Sequence, residues 1–534
     1  MRCPYCGAAN PAPVARCQGC NSDLPLPVCS ACGIAVDWGE TLCFRCSSLG
    51  SDQSDTGRHE RGGSWRFLGE QTRMIGRIKE LHQLNEVFRN VAESSQVALV
   101  TISGLPGIGK TRLASTFARQ LDERCERFTV ARGSARDGQR THYWLFRSLI
   151  ADRFYLGESA DAEVVKRQLM DGVRSIVGPT ASTELVHLIG HLGGLDFPDS
   201  PYLDAQGSSP QQLRERACAA MARLLKADAL QAPLVLILDD VHLASDACFD
   251  LIQYLVSNVS EAPLLIVCLA QPALFERCPE WGEGMPLHQR IELQPLADNE
   301  IEELFHSLLK EVPELPRPLC DLAAARAMGN PLTLEHVARI LLEKGVIVSS
   351  GPLWQVHMER LDPGQIPGSF NELVQARLAG LSDEERRVLQ LAAVVGSSFW
   401  FGTLLVLQQL DADGWPEEQR YWRSDVRRDA LRQVLRQLAR KDLVRRVRSS
   451  SIPNDSEYQF KHRLERDLLY AQLDDGERTT YHKMVAQWLE MGLARRADPM
   501  VEAVALHHEL GKNTKKAAYF YIHAGDRCRE RYAN

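Results

Sequence analysis

Residues 97–121 read VALVTISGLPGIGKTRLASTFARQL. The first six are almost wholly apolar, as expected of a strand buried on both faces. GLPGIGKT, residues 104–111, matches G-x-x-x-x-G-K-[ST]. Gly104, Gly107 and Gly109 allow the backbone to curl so that its N–H groups face a phosphate. Lys110 is then placed for the β- and γ-phosphates of a nucleotide, and the Thr111 hydroxyl for Mg²⁺. The run after Thr111 has helical spacing, and a helix start favours an anion. The motif requires a strand before it and a helix after it, and both are present. ATP or ADP with Mg²⁺ is the expected ligand.

Two more apolar runs of strand length follow, PLVLILDD at 233–240 and PLLIVCLA at 263–270. With residues 97–103 they predict a parallel sheet covered by helices, an α/β domain. Asp239 ends its run where a carboxylate would hold Mg²⁺ through water. Asp240 stands where an acid would activate the attacking water, and so joins Lys110 as a candidate catalytic residue.

The chain has 534 residues, enough for three or four domains. Its 62 basic and 69 acidic side chains argue against a chain-wide nucleic-acid or membrane-surface role. No apolar run approaches a bilayer span, and MRCPYCGAAN lacks the apolar core of a secretory signal, so a cytoplasmic protein is expected. Eight of the 15 cysteines fall within residues 1–46. Cys3, Cys6, Cys17 and Cys20 form C-x2-C-x10-C-x2-C, and Cys29, Cys32, Cys43 and Cys46 repeat it. Two such knuckles complete a tetrahedral four-thiolate site, so residues 1–46 are expected to be a double zinc ribbon with two structural Zn²⁺ ions.

Residues 47–64, rich in Ser, Gly and charge, read as a flexible linker, and 65–290 as the P-loop domain. A helical lid is expected over 291–345, and a hairpin and connector over 346–368. Within 369–473, a capping box at Ser382–Glu385 opens one helix and DALRQVLRQLARKD makes another. Two strand-like runs follow, the order of a winged helix. Residues 474–534 read as helices, the start of a tetratricopeptide-type repeat region that continues in a longer protein.

The ordered set of motifs resembles the signal-transduction ATPases with numerous domains, the STAND class of P-loop ATPase, over about residues 67–534. MIGRIKEL (74–81) resembles the family's hhGRxxE signature, and MGNPLTLEHVARIL (328–341) its lid signature. GSFNELVQARLAGLSDEERRVLQLAAVVG and YQFKHRLERDLLYAQLDDGERTTYHKMVAQWLE resemble the two ends of its winged-helix region. The resemblance implies that Gly76 and Arg77 lie near the adenine and Pro331 against the base. It also implies that His462 is a latch on the β-phosphate of ADP; the other reading is a helix-start or core histidine that packs near Tyr470 and never meets nucleotide. It further implies a regulatory ATPase, closed with ADP and open with ATP, that self-associates on binding ATP and reads a protein partner or signal through its C-terminal helices. Asp240 is shorter than the Glu usual in fast AAA+ ATPases, which implies slow hydrolysis. Ala270 and Gln271 replace an arginine common in the family.

Arg428, Arg432, Arg436 and Arg440 recur every four residues, and 423–448 hold ten basic and three acidic side chains. The expectation is a solvated or intramolecular face. DNA engagement, as in AAA+ winged-helix regulators, is the alternative, and a scaffold that binds nucleotide without turnover is a third reading. His242 reads as a loop histidine, and Cys218, Cys248 and Cys268 as small core residues.

Overall fold

The computed structural model describes residues 66–67, 70–123, 127–135, 143–156, 162–195, 197, 200–203, 209–285, 287–310, 312–348, 354–362, 364, 366–367, 370–413, 425–447, 450, 452, 455–493 and 500–532. The zinc ribbon and the linker expected over 1–64 lie outside them. The chain divides into units 1–63 and 64–534, and all that follows concerns the second.

Five parallel strands form the central sheet: β1 (Val97–Ser103), β2 (Thr129–Ser134), β3 (Leu234–Asp239), β4 (Leu264–Ala270) and β5 (His288–Glu292). Their order is β2-β3-β4-β1-β5, so β4 separates the P-loop strand from the strand that ends in Asp239. The sheet is covered on both faces, which explains its near-continuous apolar strands. Leu99, Leu236 and Ile266 face the core shared with helices Trp144–Arg153, Pro210–Gln231 and Asp246–Asn258. Val100, Ile237 and Val267 face Leu84 and Phe88 of helix Ile78–Ser94, and Leu113 and Phe117 of helix Lys110–Glu123.

Three helices, Asp298–Leu308, Arg317–Ala327 and Pro331–Glu343, pack around their own apolar core in the segment expected to be the lid, and are called the lid helices below. Residues 347–348 pair antiparallel with 355–356, as a hairpin. Beyond them, helices Asp383–Val395, Phe401–Asp413 and Asp425–Arg440 pack with a three-stranded antiparallel sheet. That sheet has β6 (Ser398–Trp400) and β7 (Val444–Arg446) on either side of β8 (Glu457–Phe460). The two sequence-predicted strands are β7 and β8; β6 is three residues long, too short to announce itself.

Helices Arg463–Ala471, Asp475–Leu493, Val501–Leu510 and Thr514–Tyr532 complete the chain. A buried polar relay joins them to the preceding domain. His507 hydrogen bonds to the backbone of Val395 at the end of helix Asp383–Val395. Its Nδ1 lies 2.9 Å from Nδ1 of His482, whose Nε2 is 2.9 Å from the Tyr470 hydroxyl. One set of tautomers satisfies all three bonds: His507 Nε2–H donates to the carbonyl, His482 Nδ1–H to His507, and Tyr470 O–H to His482. Among the described residues no helix is long and apolar enough to cross a membrane.

Candidate nucleotide site

The P-loop turns between the end of β1 and the start of helix Lys110–Glu123. Gly104 N–H donates to Ala270 O (3.3 Å), which ties the loop to the end of β4. Lys110 is 8% exposed, and its ammonium donates to Gly104 O (2.8 Å) and Leu105 O (3.0 Å). Burial lowers its pKa, against the opposing charges of Asp240 and Asp239. Thr111 Oγ1 donates to Asp239 Oδ2 (3.1 Å), and Asp240 N–H donates to Asp239 Oδ1 (2.9 Å). The structure therefore brings Lys110, Thr111, Asp239 and Asp240 together.

Burial pushes the pKa of both aspartates up, that of Asp240 to about 6 with a further rise from the Asp239 charge. A hydroxyl beside a buried carboxylate is the donor set that Mg²⁺ takes in such loops, so Thr111 and Asp239 fit the ion. Asp240 has φ 54°, in the left-handed region that Asp tolerates better than most residues. His242, in the turn that follows, accepts from Gln271 N–H at Nδ1 (3.4 Å) and so ties the turn to the end of β4. Sequence reasoning gave no sign of one further, weaker charge near the site. The guanidinium of Arg445, on β7, bears electrostatically on Asp239.

The lid begins on the P-loop. Asn330 caps helix Pro331–Glu343, its Oδ1 accepting from Leu332 N (3.0 Å) and Thr333 N (3.4 Å), while its Nδ2 donates to Pro106 O (2.9 Å). Pro331 takes the first helical position, where its missing N–H costs nothing. Gly107 has φ +78°, and a Cβ there would stand 2.5 Å from Leu332 Cβ. Gly329 has φ +74°, and a Cβ there would stand 2.5 Å from Pro295 Cβ. Gly76 lies against Glu300, which caps Ala297 N (2.9 Å), and Arg77 donates to Gln294 O (2.5 Å) and Glu80 (3.2 Å). Both quoted signatures thus pack at the base of the lid.

The far end of the same lid helix meets the β7–β8 domain. Arg339 donates to Asp442 (2.7 Å), which also pairs with Lys461. Arg377 pairs with Glu465 at 2.8 Å, the two side chains only 4% and 0% exposed. Burial raises the pKa of Glu465 to about 7, against the pull of Arg377. His462 packs against His336 of the lid helix, ring centroids 5.7 Å apart. Burial and the charges of Lys461 and Arg377 lower its pKa to about 3, so it is neutral. His462 also stands at the N-cap of helix Arg463–Ala471, the place of a helix-start histidine, while the Tyr470 hydroxyl hydrogen bonds to His482. Glu335, on the same helix face, lies between the charges of Lys461, Arg339 and Arg112. None of these pairings has a sequence signal.

On helix Asp425–Arg440, Leu431, Val434, Leu435 and Leu438 are buried. Arg428 and Arg432 lie over the Phe401 ring at 5.9 and 5.5 Å, while Arg436 and Arg440 are exposed. Cys218, Cys248 and Cys268 are buried.

Residues 73–267 match the family model of the AAA ATPase domain. The chain is 24% identical over 488 residues to an uncharacterized protein of Rhizobium meliloti (strain 1021), an alignment over 85% of this chain and 43% of the relative. This chain thus spans less than half the length of that relative. Its fold is similar to that of a Signal Transduction ATPase with Numerous Domains (STAND) protein with a tetratricopeptide repeat sensor from Pyrococcus horikoshii. That likeness has 14% identity and a TM-score of 0.47, over 90% of this chain and 54% of the other. It is also similar to the Orc1 protein of Aeropyrum pernix, solved in complex with DNA, at 15% identity and a TM-score of 0.35, over 74% of this chain and 92% of that one. The matched segment, 73–267, is the one that holds the P-loop, Asp239 and Asp240.

Proposed function

We propose that this chain is a regulatory ATPase that uses ATP and Mg²⁺ as a slow conformational switch. One observation carries the reading: helix Pro331–Glu343 touches the P-loop at its start, through Asn330 and Leu332, and the β7–β8 domain near its end, through Arg339. A stiff helix in contact at both ends transmits a change at the phosphates to the domain behind it. Lys110 would hold the β- and γ-phosphates, Thr111 and Asp239 the Mg²⁺, and Asp240 would orient the attacking water. Gly76, Arg77 and Pro331 would border the base. His462 would favour the ADP-bound state, a role supported by its burial against His336 on the lid helix. Residues 369–473 would act as a winged-helix lid regulator. The helices after 474, read as a tetratricopeptide-type region, would receive a protein partner or signal, and ATP would promote self-association. Residues 1–46 would dock a partner through two zinc ribbons, and metal analysis should find two zinc ions in them.

Nucleotide binding and turnover test the reading. Lys110→Ala should weaken ATP binding by two orders of magnitude or more, roughly, because it removes a charge-assisted contact to two phosphates. Asp240→Asn should bind ATP at near the parent affinity and lose most of its hydrolysis. Parent-level hydrolysis by Asp240→Asn would remove Asp240 as base. A chain that binds but never turns over ATP would establish the scaffold reading. The exposed Arg436 and Arg440 favour one further reading, DNA engagement, which a footprint lost on their replacement by Glu would establish.

A further inference from the structure

Glu302 and His306 stand one turn apart on helix Asp298–Leu308, and Cys320 stands on the neighbouring helix Arg317–Ala327. A carboxylate oxygen, an imidazole nitrogen and the thiol sulfur of these three all lie within 4.8 Å of one another. Cys320 is 5% exposed, forms no disulfide and makes no side-chain hydrogen bond among the described residues. Beside the three lies a cavity of about 220 Å³, bordered by Asp298, Glu302, Cys320 and Asp321. We propose that Glu302, His306 and Cys320 form a Zn²⁺ site on the outer pair of lid helices, separate from the nucleotide site and from the N-terminal cysteines.

The donor set selects the ion. Thiolate, imidazole and carboxylate together suit Zn²⁺, whereas Mg²⁺ and Ca²⁺ take oxygen ligands. Tetrahedral zinc requires ligand atoms about 3.5 Å apart. Side-chain rotation of about an ångström therefore closes the triad, because Glu302 and His306 sit at the helical spacing that places both on one face. Arg317 now holds Glu302 Oε1 at 2.8 Å and Asp321 at 3.0 Å, a positive charge standing where the ion would neutralise the carboxylate. The Arg317 side chain is 69% exposed and free to swing out. The cavity leaves room for water or Asp321 as the fourth ligand. Bound there, the ion ties two helices that otherwise meet through apolar contacts and the Arg317–Glu302 pair, and it stiffens the lid just ahead of Met328 and Gly329.

Equilibrium dialysis of the full chain against micromolar free Zn²⁺, followed by metal analysis, tests the site. Every variant keeps the same N-terminus, so only the difference in zinc per chain is read. His306→Ala and Cys320→Ala should each hold one zinc fewer than the parent, and Arg317→Ala should hold the parent number. With Co²⁺ in place of Zn²⁺, the sulfur-to-metal absorption should weaken in Cys320→Ala. His306 is exposed, so its replacement leaves the lid core intact. Equal zinc in the parent and His306→Ala would overturn the site. Loss of the ion from Arg317→Ala would also overturn it, because helix packing rather than ligation would then be responsible.

Discussion

The central sheet and the junction between the lid and the β7–β8 domain are held by opposite means. In the sheet, strands such as Leu234–Asp239 are apolar on both faces, and contact is made by area. At the junction, Arg339 of the lid helix meets the half-buried Asp442 and Lys461, beside the fully buried pair of Arg377 on helix Phe370–Ala379 and Glu465 on helix Arg463–Ala471. Apolar contact is non-directional and scales with the area removed from water. Buried ion pairs carry a desolvation cost that only the right geometry offsets, so they favour one arrangement and penalise partial ones. The first kind of contact gives a platform; the second gives a joint with a defined closed position.

The largest expected effect lies in the platform. Leu236→Ala, at a position 0% exposed, should cost about 2–5 kcal/mol in urea unfolding and leave ADP release unchanged. At the joint, Arg377→Ala leaves Glu465 buried without its partner and should cost about 3 kcal/mol. Replacing the pair together, Arg377→Met with Glu465→Leu, should recover most of that loss. An apolar contact has no such rescue, so failure of the double variant would make the joint an ordinary packing site.

The histidine relay links the joint's domain to the C-terminal helices and gives a pH test. Burial lowers the pKa of His482 to about 4 and of His507 to about 3. Above pH 6.5 both are neutral in the folded and the unfolded chain, and the shift has no effect. Below it the unfolded chain takes up protons that the folded chain refuses, so stability falls as the pH drops from 6.5 toward 4. His482 alone accounts for about 3 kcal/mol over that window. The C-terminal helices should therefore lose amide protection in acid before the sheet does, and the His482→Gln variant should flatten that dependence. The smallest effect is at the lid start: Asn330→Ala removes a helix cap and the tie to Pro106, and should cost about 1 kcal/mol in thermal unfolding.

The same contrast explains what could be read from the chain. The apolar strands at 97–103, 234–239 and 264–270 and the loop at 104–111 announce themselves locally, by hydrophobic runs and by motif. The strands TVARGS and HQRIE complete the sheet but are half polar and give no such signal. Of the nucleotide site, Lys110, Thr111, Asp239 and Asp240 were legible as a set. The joint was not, because Arg377 and Glu465 lie 88 residues apart, and Arg339 and Asp442 lie 103 apart. A sequence shows that these side chains are charged, and only the fold shows which opposite charge each one meets. Arg445 illustrates the same point, since nothing in VRR suggests a charge felt at Asp239.

The lever from P-loop to joint is open to one measurement, the rate of fluorescent ADP release from Asp442→Asn followed by stopped flow. Asp442 has φ 59°, and Asn tolerates that backbone as well as Asp does, so the variant removes only the charge that Arg339 and Lys461 share. If the lid helix couples the two ends, release should speed up by about tenfold, equivalent to about 1.4 kcal/mol of closed-state stabilisation lost. An unchanged release rate in a folded Asp442→Asn chain would contradict the coupling.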